Sequence, residues 1–503
     1  MPNGTEILNT GDGDFARRVK SAVVWRSGTQ IVAQMVSWIA TFAVIRLLTP
    51  GDYGLFAMTS VVMVFMNFLN GYGLASSLIQ SEKVDPIRIR QALGLLILMN
   101  VALATVQFLA APLAALYYRE PQVAEMLRWQ SLIYLATPFL VLPEAMVSRN
   151  LEFRKPAVIN LTTATLGAIL SFSFAWNGFG VWTLVWTPII LFWARASMLV
   201  FATRFFYLPT FNFKGTGGMV GFAMTVLVAQ GFWIVQSQSD LFIAGRMFNI
   251  HDLGLYAEAL FLTQIFAAKF VPPLNEVAFP AYSRLQHDTS AMASGFLKAM
   301  RMIMLIACPL YAGLSVTAAP VVATLMGPKW LEAIPLIQIL ALAMPFMTLQ
   351  ILFGPPINAL GKPNVTMQVS MFGAALMPVI YLIAVPYGTI GLAWAWLIGL
   401  PLLLMFTIWR AGRMFGVTIG SVINACWPGF LAAALMGIAV WAADAMWVAS
   451  ATATFPPAVH LAILIGIGGI TYAALLWITA RDSVRDIVAL VIKPKAETDG
   501  TTT

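Results

Sequence analysis

Ionisable side chains inside long apolar runs are the residues of this sequence that could do chemistry. Lys269 lies near the middle of one run, and Glu276 follows seven residues later on the same helix face. Asp240 and Glu144 lie near the ends of two other runs. Because a charge at the centre of a membrane helix costs about 2.5–3.5 kcal/mol on insertion scales, each requires a partner or water. Asp240, Glu276 and Glu144 are therefore candidates for ion coupling or for a counter-charge.

Three cations could act on an anionic ligand. Lys269 could attract an anion into a cavity, with Asp240 or Glu276 as its counter-charge, or it could form a buried structural ion pair. Arg46 and Arg246 occupy matching positions at the outer ends of two runs. They could contact the same anion, or they could snorkel and cap the ends of their helices. Both interpretations stay open for all three residues.

Polar side chains also follow one face of two apolar runs at helical spacing. They could line a wet cavity, or they could form hydrogen bonds between helices in lipid. We favour the cavity because matching faces of the two runs carry them. The residues are Gln30, Gln34, Ser37 and Thr41 in one run, and Gln230, Ser237 and Asp240 in the other.

Membrane helices must position these side chains. Of the 503 residues, 60% are hydrophobic and 10% are charged, against about 25% charged in soluble domains. The apolar runs are too long and too uniform for barrel strands. We therefore predict an all-α polytopic membrane protein with about 14 transmembrane helices, joined by connections too short to hold an extramembrane domain.

The sequence repeats itself. Residues 46–57 recur at 246–257, and eight identities fall between positions 30 and 57 at a constant offset of 200, where chance would give roughly two. Because each copy holds six spans, both insert the same way up, as parallel repeats around a central site do. The predicted parts are a cytoplasmic segment 1–21, a first six-helix bundle 22–202, an interfacial linker 203–217, a second bundle 218–410, two additional helices 411–480 and an amphipathic cytoplasmic tail 481–503.

Two short motifs inside the repeat predict structural roles. Asp52 precedes Gly54 by two residues, and Asp252 precedes Gly254 in the same way. An aspartate at a helix start caps free backbone N–H groups, and a glycine permits a tight turn or close packing.

Lysine and arginine predict the orientation. With both termini in the cytoplasm, 23 of the 29 basic residues lie on the cytoplasmic side and five lie outside. This asymmetry follows the positive-inside rule. The basic residues lie in short loops, so the net charge of +8 gives no reason to expect a nucleic-acid partner.

The sequence contains no motif for catalysis, and no cofactor, metal site or enzymatic activity is expected. Cys308 and Cys426 are expected to be inert buried thiols. The three histidines are expected to be solvated loop residues: His251, His287 and His460.

Four segments resemble a known family. Residues 46–57 are similar to the first-loop signature of Wzx-type polysaccharide flippases, and Ser239–Gly245 with Gly254–Tyr256 resembles their mid-chain motif. Pro280–Arg284 and Asn358–Lys362 are similar to later segments of the family, which belongs to the multidrug/oligosaccharidyl-lipid/polysaccharide exporter superfamily. The resemblance covers nearly the whole chain, and it matches Asp240 to the aspartate of the mid-chain motif.

The resemblance implies a function. Such a protein would move an undecaprenyl-diphosphate-linked oligosaccharide across a bacterial inner membrane, for exopolysaccharide, capsule or O-antigen. The family's cationic lumen makes Lys269, Arg46 and Arg246 candidates by position alone. The implied partners are the lipid-linked oligosaccharide, membrane lipid, and polysaccharide polymerase and export components.

Other functions remain open. A drug or cation antiporter of the same superfamily would share the two bundles, but it should have an acidic lumen and lack the 46–57 signature. A non-transporting membrane subunit of a polysaccharide synthesis complex is a further alternative. A glycan polymerase or ligase is disfavoured because this sequence has no large outer loop to carry catalytic residues.

Overall fold

The computed structural model describes residues 12–70, 85–149, 154–213, 217–449 and 456–479, with side chains from residue 28 onward except at 148–149, 217–230, 447–449 and 479. Every regular element in these residues is helical. Three short 3-10 helices cover Pro328–Ala333, Val385–Tyr387 and Gly412–Met414. The α-helices are α1 (Asp12–Leu47), α2 (Pro50–Phe68), α3 (Pro86–Tyr118), α4 (Pro121–Gln130), α5 (Leu132–Arg149), α6 (Arg154–Trp176), α7 (Trp182–Thr203), α8 (Gly217–Met247), α9 (Ile250–Arg284), α10 (Thr289–Val316), α11 (Ala318–Leu325), α12 (Ile334–Leu352), α13 (Gly354–Ala359), α14 (Pro363–Ala384), α15 (Gly388–Ala411), α16 (Ile419–Ala449) and α17 (Pro457–Thr479).

Local sequence signals set several helix ends. Thr49 caps α2, where its hydroxyl accepts the Asp52 N–H while the Asp52 carboxylate accepts the Thr49 N–H, and Pro50 occupies the first turn. Asp288 caps α10 by accepting the Ala291 N–H. Arg119 and Arg204 end α3 and α7 in the left-handed conformation.

The predicted fold class is confirmed. Within the described residues, twelve helical segments are long and apolar enough to cross a membrane. One of them, Pro363–Met414, contains both α14 and α15. The helix α8, whose first part has no described side chains, covers the expected span at 218–246. The fourteen expected spans therefore each have a helix, although the second runs beyond the described residues.

The chain divides into two compact units, residues 1–231 with 249–251, and residues 232–248 with 252–503. In unit 1, α3 packs on α5, α5 packs on α7, and α6 packs on α7. In unit 2, α10 packs on α12, α12 packs on α15, and α14 packs on α15. In the first copy these contacts join span 3 to span 4, span 4 to span 6, and span 5 to span 6. In the second copy they join the equivalent spans, 9 to 10, 10 to 12 and 11 to 12. The same internal pairing in each unit supports the duplication found in the sequence.

Unit 2 also contains the two additional C-terminal helices. α16 packs on α10 and on α17, and His460 Nε2 of α17 lies 2.9 Å from Asp444 Oδ1 of α16. The expectation of a solvated His460 is therefore wrong, because the packing of α16 on α17 brings an acid to the imidazole. Cys308 and Cys426 are buried free thiols, as expected.

Other boundaries differ from the sequence prediction. α10 begins at Thr289, ten residues before the predicted span at 299, and Asp288 caps its first turn there. The span at 333–359 is divided between α12 and α13. The predicted amphipathic tail lies outside the described residues.

Candidate functional site

Asp240 lies at the centre of a buried polar cluster in unit 2. Its side chain is fully buried in α8, and the Tyr256 hydroxyl of α9 donates a 2.9 Å hydrogen bond to Asp240 Oδ2. Trp396 Nε1 of α15 donates in turn to the Tyr256 hydroxyl over 2.8 Å. Three helices thus supply one chain of hydrogen bonds that ends on a carboxylate. The hydrogen bonds of such a chain polarise one another in a low-dielectric interior, which strengthens each of them.

The cluster is not fully satisfied. Asp240 Oδ1 and the hydroxyl of buried Tyr381 have no hydrogen-bond partner among the described residues. The ring of Tyr381, on α14, lies 6.1 Å from that of Trp396 between centroids. Unpaired buried polar atoms cost about 1–3 kcal/mol each. Asp240 Oδ1 is therefore the atom of this cluster that could accept a proton, a cation or a hydrogen bond from water, and the Tyr381 hydroxyl could form a hydrogen bond with water.

The helical hairpin formed by α8 and α9 explains why these residues meet. Asp240 lies seven residues before α8 ends, and Tyr256 lies six residues after α9 begins. At about 1.5 Å per residue, both lie roughly 9–10 Å from the turn that joins the helices. The two side chains therefore reach the same depth.

The cluster belongs to the second copy of the repeat alone. At the offset of 200, Asp240 corresponds to Ala40 and Tyr256 to Phe56; at the offset of 208 that applies later in the chain, Trp396 corresponds to Pro188. Sequence analysis identified Asp240 but missed Tyr256, Tyr381 and Trp396, since aromatic residues in an apolar run resemble ordinary core.

Unit 2 contains a second buried acid, Glu258, which sequence analysis did not identify. It lies two residues after Tyr256 on α9, it is 7% exposed, and its Oε2 has no hydrogen-bond partner among the described residues. Two residues along a helix turn it by about 200°, so Glu258 faces away from Tyr256. Unit 2 therefore has buried carboxylates on two sides of α9.

Lys269 and Glu276 are both exposed on α9. Within the described residues, no ion pair joins Lys269 to Asp240 or to Glu276. The structure therefore brings Asp240 together with Tyr256 and not with Lys269. Lys269 therefore has no ion-pair partner among the described residues.

Glu144 has a partner in unit 1. Arg195 Nη2 of α7 lies 2.9 Å from Glu144 Oε1 of α5, and each side chain is about one third exposed. This ion pair ties two packed helices. It gives Glu144 an ion-pair partner, which Asp240 and Glu276 lack among the described residues.

The remaining predicted residues lie at helix ends or along α1. Arg46 is exposed at the last turn of α1, and Arg246 is half-buried at the last turn of α8. Gln30 is exposed on α1 and Gln34 is half-buried, whereas the side chain of Gln230 lies outside the described residues.

The two repeated motifs start α2 and α9. Gly54 is buried, and a Cβ atom there would overlap the Ile250 carbonyl, which belongs to the same unit. In the second motif, Asp252 lies in the first turn of α9 and Gly254 is buried.

Among the described residues, no group of three or more His, Cys, Asp or Glu side chains could hold a metal ion. The site is thus a carboxylate with aromatic hydrogen-bond donors, set among membrane helices. This arrangement can bind or release a small cation or a proton, and it contains no nucleophile–base pair.

Comparison with known proteins identifies the family. Residues 43–335 match the family described as polysaccharide biosynthesis protein. The chain is 25% identical over 472 residues to the succinoglycan biosynthesis transport protein ExoT of Rhizobium meliloti, covering 90% of this chain and 92% of ExoT. It is 20% identical to the lipopolysaccharide biosynthesis protein WzxC of Escherichia coli, covering 75% of this chain and 77% of WzxC.

A solved structure shares the fold. The lipid II flippase MurJ, in an inward closed conformation, superposes with a TM-score of 0.75 at 13% identity, covering 92% of this chain and 100% of MurJ. At this identity the likeness shows the fold alone. The family match extends over more than half of the chain, so the protein belongs to the polysaccharide biosynthesis protein family, which confirms the resemblance of residues 46–57 and 239–245 to polysaccharide flippases.

Proposed function

We propose that this protein is a flippase that moves an undecaprenyl-diphosphate-linked oligosaccharide repeat unit from the cytoplasmic to the periplasmic leaflet of a bacterial inner membrane. The observation that carries the proposal is the family match, together with a relative over nine tenths of the chain that is named a biosynthesis transport protein. The product would serve exopolysaccharide, capsule or O-antigen synthesis.

The physical chemistry of the substrate requires such a protein. A diphosphate joined to sugars cannot cross hydrocarbon unaided, because its charges and hydroxyls would lose their hydration. A polar path with exposed cations lowers that cost. Lys269, Arg46 and Arg246 are the cations we propose for this path, and Gln30, Gln34 and Gln230 are its proposed polar lining.

The repeat supports alternating access. Two copies of one helical bundle, inserted the same way up, can present a central site first to one side of the membrane and then to the other. We propose that the first bundle covers residues 22–202, the second covers 218–410, and 203–217 links them. The helices at 411–480 are an addition to this arrangement.

Asp240 is the proposed coupling group. Its fully buried carboxylate keeps one oxygen bonded to Tyr256 and one without a partner among the described residues. A proton or a small cation at the free oxygen would offset the unpaired charge, and its loss would restore it. Binding and release would therefore bias unit 2 between two states. Glu276 is exposed and Glu144 is paired, so both are weaker candidates.

We further propose cytoplasmic termini, because 23 of 29 basic residues then face the cytoplasm. The proposed protein partners are a polysaccharide polymerase and export components, which would take up the substrate after it crosses the membrane.

Deletion of the gene in its host tests the function. The flippase proposal predicts that the lipid-linked repeat unit accumulates in the cytoplasmic leaflet and that polymer is lost. Normal polymer with altered drug sensitivity would instead indicate an antiporter. Loss of polymer with the repeat unit already in the periplasmic leaflet would indicate a non-transporting subunit.

A further inference from the structure

The segment after α7 forms a strap across the start of α3, within unit 1. Residues 205–213 have no regular secondary structure. Arg90 Nε donates to the Leu208 carbonyl over 2.9 Å, and the Thr210 N–H donates to the Arg90 carbonyl over 3.0 Å. Gln91 Nε2 donates to the Asn212 carbonyl over 2.9 Å. Three hydrogen bonds therefore fix this strap to the first turns of α3.

Packing holds the strap in the same place. Phe205 is buried in a cluster with Ile89, Leu93 and Leu142. Gly94 lets the backbone approach, because a Cβ atom there would overlap the Thr210 carbonyl. The outward side chains of the strap therefore have fixed positions on unit 1.

Those outward side chains are large and apolar. Phe206 is 67% exposed, Leu208 is 73% exposed and Phe211 is 60% exposed. The strap cannot lie in hydrocarbon, since its irregular backbone leaves polar groups outside any helix. Exposing its three apolar side chains to water would also be unfavourable, because apolar surface is more stable out of water. At the boundary between headgroups and acyl chains, the polar backbone can meet water while the apolar side chains enter the membrane, as in aromatic belts.

Three exposed arginines belong to the strap's immediate neighbourhood, one at the end of α7 and two in the first turns of α3. Arg88, Arg90 and Arg204 are exposed, and within the described residues none of them takes part in an ion pair. Across residues 85–92 and 203–213, Asp85 is the single acid. A phosphate group at the membrane surface has the charge and the acceptor oxygens that guanidinium groups bind best.

We propose that the strap is a binding site for anionic phospholipid. Arg88 and Arg204 bind the phosphodiester, and Phe206, Leu208 and Phe211 insert beside the acyl chains. The site fixes the depth of unit 1 in the membrane. The contacts that hold the strap all lie within unit 1 and are independent of the proposed transport function.

Lipid titration tests the site. Purified full-length protein in detergent would be titrated with phosphatidylglycerol or phosphatidylcholine, and bound lipid counted by native mass spectrometry. Phosphatidylglycerol should bind more tightly, and Arg204→Gln should weaken it about fivefold, as expected for the loss of roughly 1 kcal/mol per basic residue near an anionic surface. Arg88→Gln should weaken it by a similar factor.

Arg119→Gln is the matched control. Arg119 and Arg204 are both exposed arginines that end a helix in the left-handed conformation, so their substitutions share the same backbone cost. Arg119→Gln should leave phosphatidylglycerol binding unchanged. Equal binding of the two lipids by the wild-type protein, or equal losses in Arg119→Gln and Arg204→Gln, would overturn the proposal.

A probe on the strap gives a second readout that does not depend on the arginine variants folding. The native cysteines are buried, so Leu208→Cys can be labelled selectively with an environment-sensitive fluorophore in phosphatidylglycerol-containing vesicles. The proposal predicts quenching by lipid-borne doxyl groups near the headgroup region. Quenching by aqueous iodide without quenching by doxyl lipid would contradict it.

Discussion

Tyr256 donates its hydroxyl hydrogen to Asp240 across 2.9 Å, and it thereby joins two consecutive membrane helices at equal depth. Neither residue has a counterpart of the same chemistry in the first copy of the repeat, where Ala40 and Phe56 stand. The two copies thus share a similar helical framework, but the buried carboxylate with its tyrosine partner stands in the second copy alone. We infer that coupling is a property of unit 2.

Tyr256→Phe tests this bond. Removing the hydroxyl takes away the hydrogen bond that Asp240 Oδ2 accepts, and losing a partner of a buried polar group costs about 1–3 kcal/mol. We expect a lower thermal midpoint of the purified protein and reduced polymer export. Tyr387→Phe removes a hydroxyl from a 77% exposed tyrosine and should change neither property. Equal effects of the two variants would argue against a special role for Tyr256.

Trp396→Phe tests the second bond in the chain. The variant keeps an aromatic ring but loses the Nε1 donor to the Tyr256 hydroxyl, a net loss of about 1 kcal/mol. Because Asp240 keeps its own bond, the loss of export should be smaller than in Tyr256→Phe. Trp394→Phe, two residues away and half exposed, is the control that should behave as wild type. A larger loss in Trp394→Phe would show that the indole contact is not what matters.

Gly54→Ala tests the packing of the repeated motif. The added Cβ would overlap the Ile250 carbonyl, and overpacking of this kind costs about 1–3 kcal/mol. The thermal midpoint should fall. Gly231→Ala is the matched control, since a Cβ at that helical glycine meets nothing within 4 Å and the alanine favours the helix. Stability at or above the wild-type value in Gly54→Ala would contradict the observed contact.

Lys269→Ala tests the proposed anion path. Within the described residues Lys269 is exposed and has no ion pair, so its removal should leave the thermal midpoint nearly unchanged. Export should fall about tenfold, the equivalent of roughly 1.4 kcal/mol. Lys269→Arg should retain most of it. Lys362→Ala, at an exposed lysine immediately before α14, controls for a general loss of positive charge. Unimpaired export in Lys269→Ala would remove Lys269 from the path.

The ends of the membrane helices could be predicted from the sequence because bilayer thickness fixes the length of each apolar run. The start of α10 at Thr289 was not predicted because the stretch 289–298 includes Thr289, Ser290, Ser294 and Lys298 and is less apolar than the rest of the run. Asp288 caps the helix at that earlier position. The ion pair between Glu144 and Arg195 joins residues 51 positions apart in the sequence, so predicting it requires knowledge of how their helices pack.

The candidate site was predictable only in part. A carboxylate in an apolar run is conspicuous because placing its charge in a membrane helix costs free energy, and Asp240 was predicted on this basis. Tyr256 and Trp396 are not conspicuous in the sequence, because both residue types are common in buried cores. Their role follows from hydrogen-bond geometry alone. Lys269 was predicted to attract an anion because it is a cation in an apolar run, and the structure gives it no ion pair among the described residues.

The most direct test of the account is translocation in reconstituted vesicles. Purified protein would be inserted in liposomes that carry a fluorescent polyprenyl-diphosphate-linked oligosaccharide, and the fraction accessible to a membrane-impermeant quencher would be followed over time. We predict that the wild-type protein makes substrate from both leaflets accessible and that Asp240→Asn, folded to the same thermal midpoint within a few degrees, slows this exchange. Wild-type vesicles that exchange substrate no faster than protein-free liposomes would contradict the account.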